Sequence, residues 1–82
     1  MKQRFVDKLG TLDFTSETEV RNFLTDLIST TGIKKQMDVV LLPYSQWKKA
    51  KKDGIKDYAT KFNSYSEYLK AFATDAVDFY FS

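Results

Sequence analysis

Two stretches decide how this chain is read: Pro43-Tyr-Ser-Gln-Trp-Lys-Lys-Ala50 and, 21 residues later, Ser64-Tyr-Ser-Glu-Tyr-Leu-Lys-Ala71. A shared tripeptide precedes each copy, Gly32-Ile33-Lys34 for the first and Gly54-Ile55-Lys56 for the second. Both copies also open on a helix-start signal. Pro43 lies close to a first helical turn, where a missing N–H costs little. Ser64 stands three residues before Glu67, the capping-box spacing. The echo predicts a helix over 44–53 that stops at Gly54, and a second over 64–80.

The copies differ in one telling respect. Lys48, Lys51 and Lys52 of the first stand where Leu69, Phe72 and Ala73 stand in the second. Tyr65, Tyr68, Leu69, Phe72, Ala76 and Tyr80 form one stripe at helical spacing, opposite Glu67, Lys70, Thr74 and Asp78. The second copy therefore reads as a core helix. The first reads as a helix that meets solvent or a partner.

Working outward, Ser16 and Glu19 repeat the capping-box spacing. Val20, Phe23, Leu24, Leu27 and Ile28 then share one face, and Gly32 suits a left-handed stop, so 16–31 is predicted helix. Phe5, Val6 and Leu9 mark a short helix ending at Gly10. Ile55, Tyr58, Ala59 and Phe62 mark another that ends at Asn63. Residues 33–42 carry two readings. Asp38-Val-Val-Leu-Leu42 before a proline has the pattern of a short buried strand. Ile33, Gln36, Met37 and Val40, however, repeat the offsets of Ile55, Tyr58, Ala59 and Phe62, which favours helix. The expected fold is mainly α, a small bundle of four to five short helices in one domain spanning 1–82. The alternative is α+β, with short strands at 38–42 and 77–81.

Composition narrows the chemistry. A chain of 82 residues buries only about 60–65% of its unfolded surface, and thirteen aromatic side chains help it build a core. Histidine and cysteine are both absent, which removes the commonest general base, the commonest zinc ligand and the best nucleophile. The three glycines lie 22 residues apart, so there is no glycine-rich phosphate loop. The acid pairs Asp53/Asp57 and Asp75/Asp78 fall on polar faces, where solvated carboxylates are the ordinary explanation. No catalytic residue, metal site or cofactor is expected, and the protein reads as non-enzymatic. Charges occupy the N-terminus where a signal peptide needs an apolar run, and the longest uncharged stretch, Val39 to Trp47, is half a membrane span. A cytoplasmic protein is expected. Eleven lysines against two arginines fit an AT-rich coding sequence, as in a low-GC bacterium or one of its mobile elements.

Charge is spread unevenly. Residues 1–32 carry a net of −1 and residues 64–82 a net of −2. Residues 33–63 hold eight lysines against three acids, a net of +5. Lys48, Lys49, Lys51, Lys52, Lys56 and Lys61 crowd into 14 residues, enough to release several counterions from a phosphate backbone. On a helix Lys48, Lys51 and Lys52 are expected to share a side, with Lys49 on a flank and Trp47 beside them. Lysine offers point charges rather than the planar fork of arginine, so base-edge contacts would come from elsewhere. Asn63, Ser64, Gln46 and Tyr65 are the candidates by type. The plain alternative is a solvated helix face with Trp47 anchoring the core.

The run Asp57-Tyr-Ala-Thr-Lys-Phe62-Asn-Ser-Tyr-Ser-Glu-Tyr-Leu69-Lys-Ala71 resembles the homing-endonuclease-associated helical repeat. Phe62, Asn63, Ser64, Tyr65, Leu69, Lys70 and Ala71 stand at the places of that family's end pattern, and Tyr44 and Trp47 are similar to its aromatic opening helix. Asn63 replaces the usual glycine, and Gly54-Ile55 takes the place of a proline-serine turn. The resemblance covers residues 44–71 and implies a small helical DNA-binding module. Residues 38–47 also resemble the strand-to-helix joint of Phd-type antitoxins, without the strand that should precede it.

The expectation is thus a nucleic-acid-binding protein with a lysine-rich helix and a helix–turn–helix-like unit at 55–71. The rival class is a stoichiometric protein-binding regulator or inhibitor, phage- or plasmid-encoded. It would set the lysines against an acidic protein surface, or use Phe79, Tyr80 and Phe81 against an apolar groove or a second copy.

Overall fold

The computed structural model describes residues 1–32 and 40–82. In chain order it has α1 (Lys2–Leu9), α2 (Glu17–Thr31), α3 (Tyr44–Lys52), a single 3-10 turn (Ala59–Lys61) and α4 (Tyr65–Tyr80). The fold is mainly helical, and no strand occurs among the described residues.

Local signals account for most of the helix ends. Ser16 Oγ accepts the Glu19 N–H at 3.2 Å and Ser64 Oγ accepts the Glu67 N–H at 3.1 Å, so both serines cap as their spacing requires. Neither box closes in the reciprocal way. The Ser16 N–H goes to the Asp13 carbonyl, and the Glu67 carboxylate accepts from Asn63, one residue before the cap. The glycines of the repeated tripeptide both take positive φ, 78° at Gly32 and 70° at Gly54. After α3 the Gly54 N–H reaches the Lys51 carbonyl and the Ile55 N–H reaches Ala50, the paired bonds of a Schellman stop.

The core forms around α4. Tyr68, Leu69, Phe72, Ala73, Ala76 and Val77 are buried along one face, and α1 and α2 pack against it. From α2 come Val20, Phe23 and Leu27, and from α1 comes Phe5, whose ring meets Phe23 edge-on at 5.7 Å. Each large side chain buried this way contributes about 1.5–3 kcal/mol before entropy is counted. Val77 extends the stripe of Leu69, Ala73 and Ala76 by helical spacing, and that burial makes 77–80 helix, where a strand was the alternative. Phe79, Tyr80 and Phe81 are all partly buried, and Phe81 rests 5.7 Å from the Phe5 ring.

Residues 40–42 correct the helix expected over 33–42, whose part at 33–39 lies outside the described residues. They form neither helix nor strand. The residue before a proline is pushed out of the α region, and Leu42 precedes Pro43. The strap's backbone finds side-chain partners on the neighbouring helices. The Tyr68 phenol accepts the Leu42 N–H at 2.9 Å and donates to the Val40 carbonyl at 3.4 Å. The Tyr65 phenol donates to the Leu42 carbonyl at 2.6 Å, and Arg21 Nη2 to the Leu41 carbonyl at 3.1 Å. With its three carbonyls and the Leu42 N–H bonded, the strap can bury Leu41.

A second expectation also fails. Residues 55–58 are not helical, and the helix expected to end at Asn63 is only the turn Ala59–Lys61. Asp57 and Thr60 close on each other: the Asp57 N–H donates to Thr60 Oγ1, which donates back to the Asp57 carbonyl. Such side-chain bonds compete with a helical ladder, and a segment this short cannot sustain one alone. Ile55, expected on a buried face, is 52% exposed.

Candidate nucleic-acid interface

α3 meets the rest of the molecule mainly through one ring. Trp47 is 7% exposed and its Nε1 donates to the Ala59 carbonyl at 2.7 Å. Its indole lies 5.5 Å from Tyr65 and 6.2 Å from Tyr44, while Tyr44 meets Tyr65 edge-on at 5.2 Å. The aromatic residues that open the two sequence copies therefore pack against each other. Pro43 provides no side-chain cap for α3. Glu17 of α2 supplies one, its Oε1 accepting the Tyr44 N–H at 3.2 Å while Oε2 accepts from Arg21 Nε at 2.7 Å. That Arg21 bond, foremost, holds the Glu17 carboxyl below the usual glutamate range.

Anchoring Trp47 inward orients the lysines. At 3.6 residues per turn Lys48, Lys49 and Lys52 fall within an arc of about 100° on the far side of the helix. All three are exposed, as are Lys56 and Lys61 in the segment that follows. The three ion pairs among the described residues, Lys2–Asp78, Arg4–Asp26 and Arg21–Glu17, involve none of these five. Asp53 and Asp57 are the acids nearest in sequence, and both are exposed. Lysines in the last turn also complement the negative end of the helix dipole, which stabilises α3 whatever the lysines meet.

Lys51 departs from the expected grouping. It lies on the Trp47 side, its Nζ 5.8 Å from the indole ring and bonded to the carbonyls of Thr60 at 3.2 Å and Phe62 at 2.9 Å. The other nominated residues also separate. Trp47 is a core anchor, and the Tyr65 hydroxyl is committed to Leu42. Burial, and then the nearby Glu17 charge, push the Tyr65 phenol above its ordinary value. Asn63 is exposed, with its N–H on Glu67. The outward face of α4 carries Glu67, Lys70, Thr74, Asp75 and Asp78, so the helix expected to serve the helix–turn–helix-like unit turns its acids to solvent.

The lysine pattern does not single out three neighbours of the site. Tyr44 and Ile55 stand 50% and 52% exposed at the two ends of α3. Tyr58 carries Lys61 over its ring at 5.9 Å and donates its hydroxyl to Asp75 at 2.5 Å. Burial first, and that bond second, raise the Tyr58 phenol well above its ordinary value. Among the described residues no group of acids is placed to hold a metal ion. No described helix is long and apolar enough to cross a membrane. Comparison with protein-family models, curated proteins and solved structures finds no match for this chain.

Proposed function

We propose that this chain is a small non-enzymatic nucleic-acid-binding protein that grips the phosphate backbone through α3 and the segment after it. The observation that supports this most is the outward arc of Lys48, Lys49 and Lys52, which form no ion pair among the described residues and are continued by Lys56 and Lys61. The resemblance of 44–71 to a DNA-binding helical repeat falls on the same segment. Binding of this kind is electrostatic and largely indifferent to sequence, because Trp47 and Tyr65 are occupied within the fold. Acids on the outward face of α4 disfavour phosphate there, which leaves the work to α3.

The test is a salt titration on a short random duplex between about 50 and 200 mM salt. Five lysine contacts predict a slope of log affinity against log salt near −4.5 at most, roughly −0.9 per phosphate neutralised. Changing Lys48, Lys49 and Lys52 together to alanine should weaken binding to every duplex alike and remove about 3 from the slope. An unaltered slope in that variant would sink the proposal.

A second reading, a regulator bound to an acidic protein surface, is favoured by Tyr44 and Ile55. Two half-exposed apolar side chains flanking a basic face suit a protein partner better than phosphate. Tyr44→Ala and Ile55→Ala separate the two readings. Under the lead reading duplex affinity stays near wild type in both, while a protein complex would weaken.

A further inference from the structure

Resting on the phosphate-binding reading, we propose that Lys51 is the positioning residue that fixes Lys61, and with it the far edge of the basic face, against α3. By sequence Lys51 belongs with the lysines expected to contact phosphate, and its surroundings give it different work. Its ammonium donates to the carbonyls of Thr60 and Phe62, the two that bracket Lys61 in the chain. One turn earlier on the same side of α3, Trp47 takes the carbonyl of Ala59. Three of the four carbonyls from 59 to 62 are thus held by two α3 side chains. They belong to the end of a 3-10 turn, where carbonyls lack helical partners and a charged donor binds them more strongly than a neutral one.

This clamp determines where Lys61 points. Its ammonium lies 5.9 Å from the centre of the Tyr58 ring, and the Tyr58 hydroxyl is tied to Asp75 on α4. Lys61 is therefore aimed from both sides, by Lys51 through the backbone and by Tyr58 through its ring. Moving Lys51 onto a phosphate would sacrifice two charge-assisted bonds and free the turn that carries Lys61. Lys48 has no such connection to the turn.

A double-mutant cycle read as salt slopes on the full-length protein decides the matter. In the wild-type background Lys61→Ala and Lys48→Ala should each remove about 1 from the slope on a random duplex. Lys51→Met should by itself remove about 1, because the released turn no longer presents Lys61. In that background Lys61→Ala should remove nothing more, while Lys48→Ala still removes its full share. Additive losses for Lys51→Met and Lys61→Ala would mean that Lys51 contacts phosphate directly, and would overturn the proposal. An unchanged slope for Lys51→Met would overturn it too, as a stabilising contact without influence on Lys61. Should Lys51→Met fail to fold, the same cycle is run with Lys51→Gln. If the wild-type protein binds no nucleic acid, it is the underlying reading that fails.

Discussion

α3 and α4 open on nearly the same sequence and end in opposite surroundings. Tyr44 and Tyr65 are matching first residues, and Trp47 and Tyr68, at equivalent positions, are both buried. One turn later the helices part. Leu69 and Ala73 are wholly buried and Phe72 nearly so, whereas Lys48 and Lys52 face water and Lys51 lies over a turn. A helix needs only a cap, a stop and one anchoring ring to be placed. The remaining positions are free to serve either the core or the surface. In α4 they make the fold, and in α3 they are available for a partner.

The comparison breaks most sharply by exchanging its residues. Leu69→Lys puts an unpaired charge at a fully buried position and replaces an apolar side chain with a longer one that the packed core must make room for. The combined cost exceeds about 5 kcal/mol, enough to leave so small a protein unfolded by circular dichroism. The reciprocal Lys48→Leu should change the unfolding free energy measured in urea by less than about 0.5 kcal/mol. A stable Leu69→Lys protein would show that the helices are interchangeable.

A smaller effect tests the main anchor of α3. Trp47→Phe keeps a ring but strands the buried Ala59 carbonyl, which should cost about 2 kcal/mol by denaturant unfolding. Tyr68→Phe in α4 removes the phenol that serves Leu42 and Val40 and should cost about 1–2 kcal/mol in the same measurement. Its consequence should reach beyond α4, with faster amide exchange at Leu42, because the strap leading into α3 loses its partner.

The mildest prediction concerns pH. Glu17 ties α2 to the start of α3, and its carboxyl sits below the ordinary 4.5 because Arg21 bonds the charged form. A lowered folded-state value means stability that is present above the ordinary value and is lost as pH falls through the lowered one. Between about pH 7 and about pH 3 the wild-type protein should therefore lose more stability than Glu17→Gln, compared by urea unfolding at each pH. Equal losses would remove Glu17 as the external cap of α3.

Much of this was legible in the chain because it is local. Ser16 and Ser64 cap within three residues, and Gly32 and Gly54 stop their helices by taking a conformation other residues resist. The stripes of α2 and α4 follow from helical spacing alone. Residues 40–42 and 55–62 depart from their sequence pattern for the opposite reason. Their apolar spacing fits a helix, but Pro43, the Asp57–Thr60 bonds and the phenols of α4 supply better partners for the backbone. Only the pre-proline signal at Leu42 was available to sequence reasoning. The lysine cluster was visible as composition, yet its division was not, since Lys51 differs from Lys48 only in what lies opposite.

The sequence by itself determined where α2 and α3 begin and stop, where α4 begins, which face of α2 and of α4 is apolar, and that basic charge gathers after residue 33. Each of these rests on interactions within a turn or two of chain. Only the tertiary structure decided that Trp47 points inward, that the strap at 40–42 is laced to Arg21, Tyr65 and Tyr68, and that Lys51 clamps a turn while Lys48, Lys49 and Lys52 face out. Those outcomes depend on partners 9 to 28 residues away, whose meeting is settled by the packing of the whole chain.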